Sequence, residues 1–172
     1  LYGSQQDHDR ALHYMQRVLD QNAYNAQALN YVGYTWAERG ERLDQAEQMI
    51  RQAVRLSPRD GYIADSLGWV YYMQAQPLLE GQQRAEGMIL LEKAVEQLDL
   101  AVELTGGDPV VSEHLGDVYL SMDRPHRALE YYEEAVRLEP REVEQPELLE
   151  KLDQVRQTIG SRGATNPGPE SQ

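Results

Sequence analysis

Leu115-Gly116-Asp117-Val118-Tyr119 is an aliphatic residue, a glycine, two variable residues and an aromatic. It has two earlier counterparts, Leu67-Gly68-Trp69-Val70-Tyr71 and Val32-Gly33-Tyr34-Thr35-Trp36. After each copy come two alanines seven apart with a bulky residue between them: Ala128-Tyr132-Ala135, Ala94-Leu98-Ala101 and Ala46-Ile50-Ala53. Pro140, Gly106 and Pro58 stand five residues past the last alanine. A double pattern recurring in this way marks a chain built of helix pairs. Gly33, Gly68 and Gly116, with Ala46, Ala53, Ala94, Ala101, Ala128 and Ala135, belong where two helix axes come closest, because only small side chains allow that approach. Each pair has two apolar faces and cannot bury both alone, so the next pair must stack on it.

The aliphatic-glycine-aromatic helix followed by an alanine-rich helix that ends near a proline resembles the tetratricopeptide repeat (TPR). That resemblance implies an all-α, right-handed α-solenoid of about four helix hairpins whose business is binding other proteins. The first hairpin is truncated: Ala11, Met15 and Val18 repeat the second pattern, and Tyr2 falls where the last turn of a preceding helix would end. The expected units are a partial repeat over 1–23, a repeat over 26–58, an extended repeat over 61–106 and a repeat over 109–140. A capping helix over 146–160 and a disordered tail over 161–172 complete the chain.

Asn25, Asp60 and Asp108 are the expected N-caps, the last followed by Pro109 in the first turn. The extended repeat stands out because Gly68 and Ala94 are 26 residues apart, where Gly116 and Ala128 are twelve apart. Fourteen extra residues make close to four helical turns, so helices can lengthen without rotating their apolar faces out of register. Pro77 and Gly81 predict a break near 76–82, followed by one long helix over 83–105. Its early residues Met88, Ile89, Leu91 and Val95 are either covered by Pro77-Leu78-Leu79 or left as a partner-binding patch. Leu148, Leu152, Val155 and Ile159 form an apolar stripe that fits a cap on the open end of the stack, with a dimerisation seam as the alternative.

The chain has 172 residues, 29 acidic against 16 basic, and a net charge of -13. Such a balance argues against nucleic acid, which needs a basic stripe. No apolar run is long enough to span a membrane. Without cysteine there is no disulfide, thiolate zinc site or cysteine nucleophile. His8, His13, His114 and His126 lack the spacing of a shared metal site, and a lone helical histidine is expected on a surface or groove. There is no phosphate-cradling loop and no nucleophile elbow. The reading is therefore no enzyme, no cofactor and no metal.

In the TPR family the first helix of each pair lines a concave groove, which implies a binding face here of Asn30 and Tyr34; Tyr62, Asp65, Trp69 and Tyr72; Glu113 and Asp117. Gln27, Ala37, Val110 and Leu120 extend it. This face is aromatic in the middle and acidic toward its C-terminal end, so the expected ligand is a basic peptide or protein segment. Only Asn30 fits the pattern of the family members that clamp a C-terminal carboxylate.

The stretches Ala28-Leu29-Asn30-Tyr31-Val32-Gly33-Tyr34-Thr35, Asp65-Ser66-Leu67-Gly68-Trp69-Val70-Tyr71 and His114-Leu115-Gly116-Asp117-Val118-Tyr119 look like bacterial TPR lipoproteins of the Gram-negative envelope. Some of these are adaptors for a periplasmic carboxyl-terminal processing protease, so the resemblance implies a periplasmic adaptor. The sequence begins at Leu1 and looks like an excised fragment; any targeting segment or lipid anchor would lie upstream, so the compartment stays open between the periplasm that the resemblance favours and the cytoplasm. The competing reading is a self-associating assembly module that mates through the C-terminal or the extended helix.

Overall fold

In the computed structural model, which describes residues 2–139 and 145–164, the described residues form eight α-helices and no strand. They are α1 Tyr2–Gln21, α2 Ala26–Glu38, α3 Leu43–Leu56, α4 Gly61–Leu79, α5 Arg84–Thr105, α6 Pro109–Ser121, α7 Pro125–Leu138 and α8 Pro146–Ala164. Two compact units divide between Gly106 and Gly107. The first stacks α1 on the α2–α3 hairpin and that hairpin on α4–α5; the second is the α6–α7 hairpin with α8 packed on α7.

The caps act as the sequence requires. Asn25 Oδ1 accepts from the Ala28 amide at 2.9 Å, Asp60 Oδ1 from Tyr62 and Ile63, and Asp108 Oδ1 from Val110 and Val111. Each satisfies amides that the first helical turn leaves without a backbone acceptor. Gly106 ends α5 in the left-handed region at φ 75°, and Gly107 follows at 102°. Two such residues in sequence turn the chain sharply where one unit ends and the next begins.

Inside each hairpin the signature glycine faces the bulky residue of the second helix. A Cβ on Gly33 would lie 2.7 Å from Ile50 Cγ1, and one on Gly68 would lie 2.7 Å from Leu98 Cγ. At Gly116 the added carbon would clash with Cε1 and Cδ1 of the Tyr132 ring. Ile50, Leu98 and Tyr132 are fully buried, as are all six signature alanines.

The extended repeat departs from the expected break. Helix α4 runs through Pro77 to Leu79, and only the turn at 80–83 separates it from α5. Pro77 removes one rung of the ladder, which the last turn of a helix tolerates better than its middle. The 19 residues of α4 compare with 13 in α6, and the 22 of α5 with 14 in α7. The insertion is thus shared by both helices, which lengthen together.

What holds the lengthened part is a run of small residues at sevenfold spacing: Gly61, Gly68 and Ala75 on α4; Gly87, Ala94 and Ala101 on α5. All six are buried. Cβ atoms on Gly61 and Gly87 would lie 2.7 Å from Thr105 Cγ2 and 3.0 Å from Leu79 Cδ2. Leu78 and Leu79 therefore cover the start of α5, burying Gly87 and Leu91 while Ile89 stays exposed.

Three further expectations are corrected. Tyr2 is no remnant of a separate helix, since α1 runs unbroken from Tyr2 to Gln21 with no proline to interrupt it. Gly160 does not end α8, which continues to Ala164, so residues 161–164 are helical rather than part of a tail. Ser161 Oγ donates to the Thr158 carbonyl there, and Arg162 pairs with Asp123 at 2.6 Å. The remainder of the expected tail, 165–172, and the repeat end at Pro140 lie outside the described residues. His114 is buried on α6 rather than on a surface.

Candidate protein-binding faces

The residues expected to form one groove fall in the two units, and each set has its own geometry. In the first unit α2 and α4 lie side by side. Trp69 and Tyr72 stack with ring centroids 4.7 Å apart and planes 24° from parallel. Both are half-buried, while Tyr62, nearer the start of α4, is 60% exposed. On α2, the Tyr34 hydroxyl donates to Glu38 at 2.9 Å and Gln27 Nε2 donates to Asp60 at 3.1 Å.

The Asn30 Oδ1 atom is buried and accepts no hydrogen bond among the described residues. Asp65 is buried on α4, and Ala37 is completely buried, which takes its methyl group out of any binding face. The first unit thus offers a pair of stacked, half-buried aromatics on α4. A flat aromatic platform of this kind supplies contact area at low entropic cost.

The second unit differs in kind. Glu113 and Asp117 lie one turn apart on α6, and Lys151 reaches both from α8. Its Nζ stands 2.7 Å from Glu113 Oε1 and 2.8 Å from Asp117 Oδ2. The other oxygen of Asp117 accepts from the Tyr132 hydroxyl at 2.7 Å. Asp117 is 9% exposed, so an acid expected to wait for a basic partner is already saturated from within. Burial pulls the Lys151 ammonium down, but hydrogen bonds to Asp117 and Glu113 and their charges outweigh it. Its pKa lies above the ordinary 10.5.

Sequence reasoning missed this lysine because it sits 34 residues from Asp117, on a helix read only for its apolar stripe. The stripe packs within the chain's own fold, where Leu148, Leu152 and Val155 are buried and Ile159 is half-buried. Among the described residues, no group of three or more metal-ligating side chains comes together, and no helix is long and apolar enough to cross a membrane.

Helix hairpins closed by a glycine against a bulky residue, stacked so that first helices stand side by side, define a helical-repeat interaction scaffold. The α2–α3 and α6–α7 hairpins are tetratricopeptide repeats. Residues 1–61 and 113–142 each match a family model described as tetratricopeptide repeat. Neither match includes 62–112, which holds the lengthened hairpin.

A TPR repeat-containing protein of Pseudomonas aeruginosa is 42% identical over 59 residues, which are 34% of this chain and 10% of that protein. The match therefore spans about a tenth of that relative's length. A thermophilic TPR protein of Thermus thermophilus superposes with a TM-score of 0.77 at 21% identity, over 92% of this chain and 78% of that one. The first TPR domain of human RPAP3 gives 0.65 at 17% identity, over 81% and 95%. At these identities the structural likeness speaks for the fold. Tetratricopeptide repeats in general mediate protein–protein interaction.

Proposed function

We propose that this chain is a non-catalytic adaptor that holds a peptide or protein segment on the face shared by α2 and α4. The observation that carries this reading is the half-exposed Trp69–Tyr72 stack on α4. Apolar side chains of a partner would lie against the exposed parts of the two rings. Tyr34 and Tyr62 would extend the contact along α2 and toward the start of α4. Basic residues in the partner are favoured by the net charge of -13, which raises association rates and is screened by salt. The resemblance to envelope lipoproteins adds the proposal that the adaptor works in the periplasm and presents its partner to another protein there.

The test is selection of binding peptides from a random display library, followed by titration calorimetry. Trp69→Ala should weaken the selected peptides by at least about 2 kcal/mol, roughly thirtyfold in Kd, with the helical spectrum unchanged. Unchanged affinity in an intact fold would remove the aromatic face from the site.

A further inference from the structure

The acidic face of α6 is the part of the expected groove that a basic ligand should occupy, and the chain occupies it itself. Lys151 makes two short ion pairs there, to Glu113 and Asp117, and stands 6.0 Å from the centre of the Tyr132 ring. Its neighbours on α8, Leu148, Leu152 and Val155, fill the apolar surface beside those pairs. The segment has the form of a bound ligand: a helix with apolar residues four and three apart and a lysine just before the second of them. Among the described residues it packs mainly on one neighbour, α7, so few contacts oppose its local opening.

We propose that α8 is an internal ligand, displaced in exchange by a lysine-bearing amphipathic helix of a partner protein that follows the same pattern. The inference rests on the reading that acidic positions of these repeats receive basic partners, and it names the partner's form. The tether makes displacement selective. A tethered α8 acts at an effective concentration on the order of millimolar, so an equal competitor at about 10 μM captures only about one site in a hundred. A successful partner must therefore bind the second unit more tightly than α8 itself does.

Exchange leaves a pattern that a merely structural ion pair does not. The probe is a fluorescent peptide with the sequence of residues 146–164, titrated into the full chain and read by anisotropy. Lys151→Ala in the chain weakens the internal ligand alone, so the wild-type peptide should bind about tenfold more tightly than to the parent. The same substitution in the peptide should weaken it about tenfold on every chain. Glu113→Gln weakens both competitors equally and should leave the peptide's apparent affinity near the parent value. Lys151→Arg in the chain should restore the parent's resistance to the peptide.

Hydrogen exchange on Lys151→Ala should show faster opening confined to α8, which establishes that the rest of the chain remains folded. Equal binding of the peptide with and without its lysine, or no gain on Lys151→Ala while α8 opens, overturns the proposal. Dimers formed by the parent through exchanged α8 helices, seen by light scattering, would replace the foreign partner with a second copy and likewise overturn it. The Trp69→Ala titration uses different ligands and a different unit, so either result can fail without the other.

Discussion

Gly116→Ala is the substitution that tests the packing argument most severely. The added methyl carbon would overlap Tyr132 Cε1 and Cδ1 far inside van der Waals contact, with Cζ only 2.9 Å away. Tyr132 is fully buried between helices and cannot swing aside without taking its hydroxyl off Asp117. Overpacking of this kind costs roughly 1 to 3 kcal/mol. Losing a buried hydrogen bond to a carboxylate costs about 1.5 to 3 kcal/mol more. Alanine returns about 1 kcal/mol of helix propensity over glycine. The net loss should be about 2 to 5 kcal/mol, a fall of at least about 5 °C in Tm by circular dichroism at 222 nm. Because the Asp117 bond is part of that loss, Gly116→Ala with Asp117→Asn should cost less than the two single changes added together. A Gly116→Ala melt at or above the parent's would show that α6 and α7 do not cross there.

Gly160→Ala should do the opposite: the site is open, the residue lies within α8, and the urea midpoint should rise by the equivalent of about 0.5 to 1 kcal/mol. Leu152→Asp places a carboxylate where the side chain is 5% exposed, and should release α8 with a loss of about 3 kcal/mol or more. Dye binding to exposed apolar surface would report it, and an intact, equally stable monomer would restore the seam reading. The Lys151 pairs have a defined pH window. With the folded pKa above 10.5, their contribution is complete below about pH 10.5 and is lost as pH rises through the raised value. Deuterium exchange of α8, corrected for its intrinsic pH dependence, should accelerate only beyond that point in the parent and show no such step in Lys151→Met.

The fold was legible because the residues that decide it are small and periodic. Gly33, Gly68 and Gly116, with their paired alanines, mark three helix crossings, and each crossing is where the spacing puts it. The insertion was legible in length and misread in placement. Pro77 draws attention as a helix breaker, yet Gly61, Gly68, Ala75, Gly87, Ala94 and Ala101 at sevenfold spacing were the stronger signal. Six buried small residues let two helices stay close over their whole length, and one missing hydrogen bond near an end does not offset that. The same spacing logic could not have found Lys151. A pattern of apolar and small residues records which face of a helix is buried, whereas the polar partner at the rim of that face depends on how far a long side chain reaches. Glu113 and Asp117 were visible as acids one turn apart; that the cation between them comes from the cap is settled by tertiary packing alone. The consequence reaches the functional reading, because a carboxylate pair open to solvent attracts basic ligands in proportion to its charge. One already holding a lysine discriminates among them by whether they can also replace the helix that carries it.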